Sequence, residues 1–355
     1  MRIKRIVILI LFSIILHGCE PLTENHNSDQ RQVKVTEFAN QNLNEFSPIF
    51  FKGETVLVQQ REGVPKTLMG TALYSSNNLK EYNKITSFKN HFGQFYANPR
   101  NSEEVFFVSE VGEGGTEQIV FKSSDQGDTW QQVYNDSADD LTLANLVFHP
   151  SNTGELFLVK NDKIQGIEII KSNDSGIHWS KLSATKQITM AYQLVIDAKN
   201  SKHFLIAAVN GLWESLDGGF SWKAIIGSES KMAIFDPVEN DKAYFITIYS
   251  NDERCIYELD NGKIKRISIP NALELIDGVG IAYQTSTNKI FTMVISYNEE
   301  DSNYNTAIYQ LNADSLTPIT QIKSKDRTLE EIFFDSTNPN VVYIYNYKSI
   351  YKVDL

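Results

Sequence analysis

The 355-residue chain carries 44 acidic and 33 basic side chains, for a formal net charge of -11, together with 20 Phe and 16 Tyr. Such an acidic balance argues against nucleic acid as a partner and against electrostatic docking on anionic lipid. With Cys19 and Cys255 as the two cysteines, no disulfide framework is available. Stability must come from a buried core, which a chain of this length can build.

Taken in order, residues 1–18 read as a targeting segment. Arg2, Lys4 and Arg5 precede an apolar run from Ile6 to Leu16, too short to span a bilayer comfortably. The run ends Leu16-His17-Gly18-Cys19, which resembles a bacterial lipobox. That resemblance implies cleavage before Cys19, its lipidation, and a membrane anchor in the bacterial cell envelope. Acylation there would hold the protein stably. Glu20 follows the cysteine where an Asp would retain an inner-membrane lipoprotein, which points to the outer membrane in a cell that has one. Removal of the three basic residues moves the formal charge from -11 to -14. Residues 19–32 are polar and aperiodic and read as a tether. One domain, 33–355, then runs to the end without a composition break.

Within that domain an eight-residue phrase occurs three times: Ser123-Ser-Asp125-Gln-Gly127-Asp-Thr-Trp130, Ser172-Asn-Asp174-Ser-Gly176-Ile-His-Trp179 and Ser215-Leu-Asp217-Gly-Gly219-Phe-Ser-Trp222. Ser and Asp can take backbone N–H groups at a tight turn, Gly permits positive φ, and Trp buries a large ring as the next strand opens. The Trp residues are spaced by about 49 and about 43 residues, within the range of a four-stranded blade. Each phrase has the same lead-in of two apolar strands separated by a Pro- or Asn-containing turn: Phe92–Asn98 with Val105–Ser109, Leu146–His149 with Glu155–Val159, and Leu194–Asp197 with His203–Ala208. A third strand enters the phrase through Phe121, Ile170 or Trp213.

The same template finds worn copies. Asp260-Asn-Gly262 and Asn312-Ala-Asp314 stand where later phrases belong, and Ser75-Ser-Asn77 marks an early one. The last unit, Ile332–Asp335, Val341–Tyr345 and Ser349–Val353, lacks a fourth strand, which Val33–Phe38 can supply. Residues 31–355 at about 46 per unit give about seven units. The expected fold is all-β: a single seven-bladed β-propeller of four-stranded blades, with six blades or an open solenoid as alternatives.

The phrase resembles the Asp-box, or bacterial neuraminidase repeat, of β-propellers. Together with Asp335-Ser-Thr-Asn-Pro-Asn-Val-Val-Tyr-Ile-Tyr345, it is similar to the blades of sortilin-type receptors and of photosystem II assembly factors, and to sialidase-like propellers. Receptors and assembly factors of this kind imply a docking disc for a protein, peptide or glycan. Sialidases imply a three-arginine clamp opened by an Arg-Ile-Pro phrase, which is absent from the chain. After residue 18 the arginines are Arg31, Arg61, Arg100, Arg254, Arg266 and Arg327. A glycoside hydrolase is the alternative to a binding or assembly scaffold. An inverting one needs two carboxylates about 6.5–9.5 Å apart, and spacing nominates no such pair.

No zinc spacing, phosphate loop or nucleophile elbow occurs, so neither cofactor nor metal is expected. Asn298-Glu-Glu-Asp301 lacks the frame of a calcium loop and reads as a solvated acidic loop. Cys255, in an alternating apolar strand, reads as a buried thiol. The box residues are expected to be structural, because turns on successive blades of a ring cannot converge on one ligand. The loops between second and third strands lie on the opposite face, and there Arg61, Glu110, Arg254, Tyr297 and Tyr304 are the candidate ligand contacts. Tyr and Arg are the types in which binding energy concentrates.

Overall fold

A computed structural model of the chain describes residues 33–43, 46–62, 70–111, 117–137, 141–162, 164–249, 254–269, 276–284, 286–298, 302–312, 315–324, 331–346 and 348–355. Twenty-eight strands and no helix occur among them. They form seven four-stranded antiparallel sheets. We number these as blades 1 to 7: residues 47–89, 91–137, 141–185, 191–226, 230–267, 276–324, and 332–354 with 34–39.

Six blades are simple meanders. The seventh is ordered Lys34–Ala39, Ser349–Asp354, Val341–Tyr345, Ile332–Phe334, so the N-terminal strand supplies its outer edge. Its register runs from Lys34 opposite Asp354 to Ala39 opposite Ser349. A ring closed by both chain ends leaves the last third strand without an open edge.

Burial across a blade explains the sequence pattern. A second strand has blades against both of its sides, so Phe204–Ala208 and Val341–Tyr345 are buried at every residue and read as unbroken apolar runs. A fourth strand is the solvated rim. Lys263–Ile267 is exposed at four of its five positions and reads as polar. The core is therefore a set of seams. Phe157, Ile169, Leu194 and Phe204 join blades 3 and 4; Leu205, Leu212, Ala233 and Phe245 join blades 4 and 5. At the closing seam Phe51 of blade 1 stacks on Tyr343 of blade 7, with centroids 4.2 Å apart. Cys255 is a buried thiol, 1% exposed.

Two expectations are corrected. The early worn phrase is centred one residue later, on Ser76 and Asn78, for reasons given below. The loop expected to hold Tyr297 and Tyr304 is shorter, because its strands extend to Asn298 and restart at Asn303. Tyr297 and Tyr304 thus sit on paired strand ends. Asp260-Asn-Gly262 does replace a box with a two-residue hairpin. Asn261 and Gly262 both have positive φ, +48° and +75°, as a type I′ turn requires. The turn residues Ala313 and Asp314 lie outside the described residues.

Candidate functional site

Each box is a closed hydrogen-bond circuit. The Ser123 hydroxyl donates to Asp125 Oδ1 (2.7 Å) and accepts from Gly127 N–H (2.8 Å). Asp125 also accepts from the Thr129 N–H (2.8 Å) and hydroxyl (2.5 Å), and Trp130 Nε1 donates to the Gly127 carbonyl (2.7 Å). Ser172, Asp174, Gly176 and Trp179 repeat the pattern, with the His178 ring on Asp174 Oδ2 at 2.6 Å. Ser215, Asp217, Gly219 and Trp222 repeat it with the Ser221 hydroxyl. Gly176 has φ +87°, and a Cβ there would stand 3.1 Å from the Phe106 ring and 3.5 Å from Trp179.

These bonds set the acidity. The Thr129 hydroxyl and N–H hold Asp125 down to about 2, the His178 N–H and ring do so for Asp174, and the Ser221 hydroxyl and N–H for Asp217. A carboxylate so stabilised as an anion is a poor proton donor near neutral pH. The geometry makes the boxes turn clamps.

Blade 1 holds a fourth box, one residue shorter. Leu79 N–H donates to the Ser76 hydroxyl (3.0 Å), Glu81 N–H to Asn78 Oδ1 (2.9 Å), and the Tyr82 hydroxyl to the Leu79 carbonyl (3.1 Å). Leu79, with φ +61°, takes the place of glycine, and Tyr82 takes that of tryptophan. The one-residue deletion is why the phrase reads one position early, at Ser75 and Asn77, in the sequence.

A second recurrent device lies at the turns between first and second strands, where one buried side chain caps the turn. Arg100 N–H donates to Asn98 Oδ1, Lys199 N–H to Asp197 Oδ1, Glu239 N–H to Asp236 Oδ1, and Thr337 N–H to Asp335 Oδ1. His149 does the same work through Nδ1, which accepts from the Ser151 and Asn152 N–H groups at 3.0 Å each. Burial pushes its pKa down, which keeps the ring neutral for that role. The signal in the sequence is an Asn, His or Asp, followed by Pro in three of the five, with Asn three or four residues on. These caps and the boxes share one face: the box turns donate to the cap turns through Gln126, Ser175 and Gly218.

The sequence candidates lie elsewhere. Arg61 ends the strand Thr55–Glu62 and is exposed; Glu110, on Asn101–Val111, is half-buried. Both are at the loop-face ends of second strands, in neighbouring blades 1 and 2. Arg254 opens the third strand of blade 5, opposite Ile248. Tyr297 and Tyr304 pair across blade 6 with ring centroids 5.0 Å apart. Two residues outside that set, Tyr249 and Tyr192, join them. Tyr249 shares a 2.5 Å hydroxyl–hydroxyl bond with Tyr257, and Tyr192 donates to Glu229 (2.7 Å) beneath the Lys231 ammonium, 3.7 Å from its ring centroid. Tyr192, Tyr249, Tyr297 and Tyr304 thus mark the loop-face ends of the consecutive blades 4, 5 and 6. Arg61 and Arg254 are on separate blades, Arg100 is on the box face, and Arg266 is on an outer strand. Among the described residues the arginines form no clamp. Cys19, Arg31, Glu113 and Arg327 lie outside the described residues.

Among the described residues, two open grooves bear on these faces. The larger, about 930 Å³, is on the box face between blades 1 and 2, floored by Phe50, Leu57 and Ile85 and rimmed by Lys52, Glu103, Asp125 and Asp128. The smaller, about 500 Å³, is on the loop face between blades 6 and 7, where Glu37 accepts from the Ser349 hydroxyl (2.7 Å) and the Tyr351 hydroxyl (3.1 Å). Burial, then the Glu37 charge, pushes Tyr351 up to about 12. No group of three His, Cys, Asp or Glu side chains placed to hold a metal occurs among the described residues.

Residues 70–209 match the Sortilin-Vps10 family profile (sortilin, neurotensin receptor 3). Among curated proteins none matches. Solved structures similar in fold include a GH74 enzyme from Niastella koreensis, with 18% identity, TM-score 0.61, and 89% of this chain aligned to 53% of that one. YCF48 bound to D1 peptide aligns over 90% of this chain and 96% of its own, at 13% identity and TM-score 0.58. A chain of the COPII outer coat vertex on membranes aligns over 90% and 84%, at 11% identity and TM-score 0.60. The chain spans about half the length of the GH74 enzyme. At these identities the likeness is one of fold.

Proposed function

We propose that this Asp-box propeller is a non-catalytic docking scaffold of the bacterial cell envelope. It is held by acylated Cys19 and presents its loop face to a protein or peptide, or to a glycan. The observation that carries the reading is the succession Tyr192, Tyr249, Tyr297 and Tyr304 at the loop-face ends of three consecutive blades, with Arg254 among them. Rigid aromatic groups on a fixed scaffold lose little entropy on binding. The box carboxylates support it from the other side: their lone pairs are consumed by the turns. YCF48, with a D1 peptide bound, matches over nearly its full length.

The test is capture of partners from the protein's own membranes, followed by titration of the captured partner against single alanine variants of Arg61, Arg254, Tyr297 and Tyr304. Each variant should melt as wild type does. At least one should weaken binding about tenfold, about 1.4 kcal/mol. If all four bind normally while box-face variants abolish capture, the docking face is the other one. A second reading, a glycoside hydrolase, is favoured by the acidic rim of the box-face groove and by the GH74 likeness. It requires Glu103 or Asp128 for hydrolysis, so an assay of reducing ends released from β-glucans, repeated on Glu103→Gln and Asp128→Asn, separates the two. The anchor has its own test: Cys19→Ser should release the protein from membranes or leave its signal uncleaved.

A further inference from the structure

The box face carries a feature that neither the turns nor the docking reading uses. Ile177 in the blade 3 box is 60% exposed, Leu216 and Phe220 in the blade 4 box are 63% and 67% exposed, and Val238 in the adjoining cap turn of blade 5 is 64% exposed. In the blade 2 box the position of Ile177 and Phe220 is Asp128. The apolar tips therefore occupy three consecutive blades on one side of the ring. The three turns are tied into the scaffold: Lys122 Nζ donates to the Ser175 carbonyl, Ser183 Oγ to the Gly219 carbonyl, and Lys199 Nζ to the Asp236 carbonyl. Rigid turns that hold large aliphatic and aromatic tips in water bear an unfavourable hydration cost unless something covers them.

The direction of the chain says what covers them. The N-terminal strand runs from Lys34, opposite Asp354, to Ala39, opposite Ser349. Asp354 is also opposite Val341, at the cap-turn end of blade 7, so Lys34 is on the box face. About 14 residues separate Cys19 from the described chain, a reach of at most about 50 Å.

We infer that the box face of blades 3 to 5 rests on the lipid surface, with Ile177, Leu216, Phe220 and Val238 entering the headgroup layer and the loop face turned outward. This rests on the Cys19 anchor of the proposed function. The contact is apolar, as suits an acidic protein on a zwitterionic surface, and it supplements the acyl chains. It also leaves the tyrosine-bearing face free for a partner.

The test uses the full acylated chain, reconstituted in phosphatidylcholine–phosphatidylethanolamine vesicles with or without brominated acyl chains. An environment-sensitive dye is placed by Phe220→Cys or Ile177→Cys, with Ile164→Cys, in a loop-face turn and 70% exposed, as the control. Cys255 is buried and should not label. Flotation with the vesicles reads the anchor, and quenching reads the face. At 220 and 177 bromolipid should at least halve the emission, and at 164 it should leave it unchanged. Adding Leu216→Asp and Phe220→Asp to the protein labelled at 177 should remove most of the quenching, which distinguishes insertion from proximity. Protein that floats while its dye at 220 and 177 stays unquenched, or is quenched equally at 164, overturns the face assignment. Protein that does not float overturns the anchor, and the lipid contact falls with it.

Discussion

Replacing Trp179 measures what a box contributes. Its ring meets Tyr134 edge-on at 6.0 Å and lies on Gly176, and it packs against the cluster formed by Phe106, Leu146, Leu156 and Ile170 between blades 2 and 3. Its N–H donates to the Gly176 carbonyl at 2.9 Å. A tryptophan buries roughly 150–250 Å². This one is half-buried, so about 100 Å² at about 25 cal/mol per Å² gives about 2.5 kcal/mol. The hydrogen bond adds about 1 kcal/mol. Trp179→Ala should therefore destabilise by about 3.5 kcal/mol and lower Tm by roughly 5 °C. Trp179→Phe keeps most of the ring and should lose about 1 kcal/mol. Thermal and urea unfolding followed by circular dichroism would give both values, with partner capture assayed well below Tm. Two outcomes would refute the reasoning. One is Trp179→Ala melting within a degree or two of wild type. The other is lost capture in protein whose melting is unchanged, which would put the box in a binding site.

The box carboxylates are depressed to about 2 in the folded protein, against about 3.9 unfolded. Their stabilisation is thus complete above about pH 4 and lost as pH falls towards 2. The Tm gap between wild type and Asp174→Asn should be open at pH 6 and narrow steadily below pH 4; a constant gap would mean that the charge is irrelevant. His149, whose pKa is lowered by burial, stabilises above about pH 6.5 and loses that contribution as pH falls through its depressed value. His149→Asn, which can cap as Asn98 does, should make Tm less sensitive between pH 7 and pH 5, and equal sensitivity would count against the capping role. Deleting residues 34–39 uncovers the Ser349–Asp354 edge and should produce aggregation, measured by light scattering; a monodisperse product of native Tm would show that the strand is dispensable. Tyr343→Phe removes the bond from its hydroxyl to the Gly53 carbonyl across the closing seam and should cost about 1 kcal/mol in urea unfolding.

Legibility in this chain follows the length scale of each interaction. The three full boxes are visible because every bond in them closes within seven residues, as from Ser172 to Trp179, so residue type and spacing carry the whole geometry. The shortened box at Ser76–Tyr82 uses the same bonds with Asn, Leu and Tyr as substitutes, and the deletion leaves its place legible but its frame one residue off. The cap turns are local too, but Asn98, His149 and Asp197 perform one task with three side chains, so the recurring Asn three or four residues on is a weak signal until their shared burial is seen. Tyr297 and Tyr304 read as loop residues because polar residues separate them; pairing across the strands extends the hairpin to include both.

Two interaction types thus divide the protein. Period-two apolar runs, turn chemistry and repeat spacing act between near neighbours in the chain, and they pointed to an all-β repeat of four-stranded blades with the N-terminal strand as its closing edge; that the blades number seven rather than six, and close rather than form an open solenoid, was decided by the tertiary structure. Tertiary structure decided what lies beside what across seams and faces. It placed Tyr192, Tyr249, Tyr297 and Tyr304 on adjacent blades, opened the larger groove on the box face rather than the loop face, and gathered Ile177, Phe220 and Val238 on one side of the disc. Those residues are tens of positions apart, and nothing in their local sequence depends on one another. Their proximity is set by the rotation from blade to blade, which appears only when the ring closes.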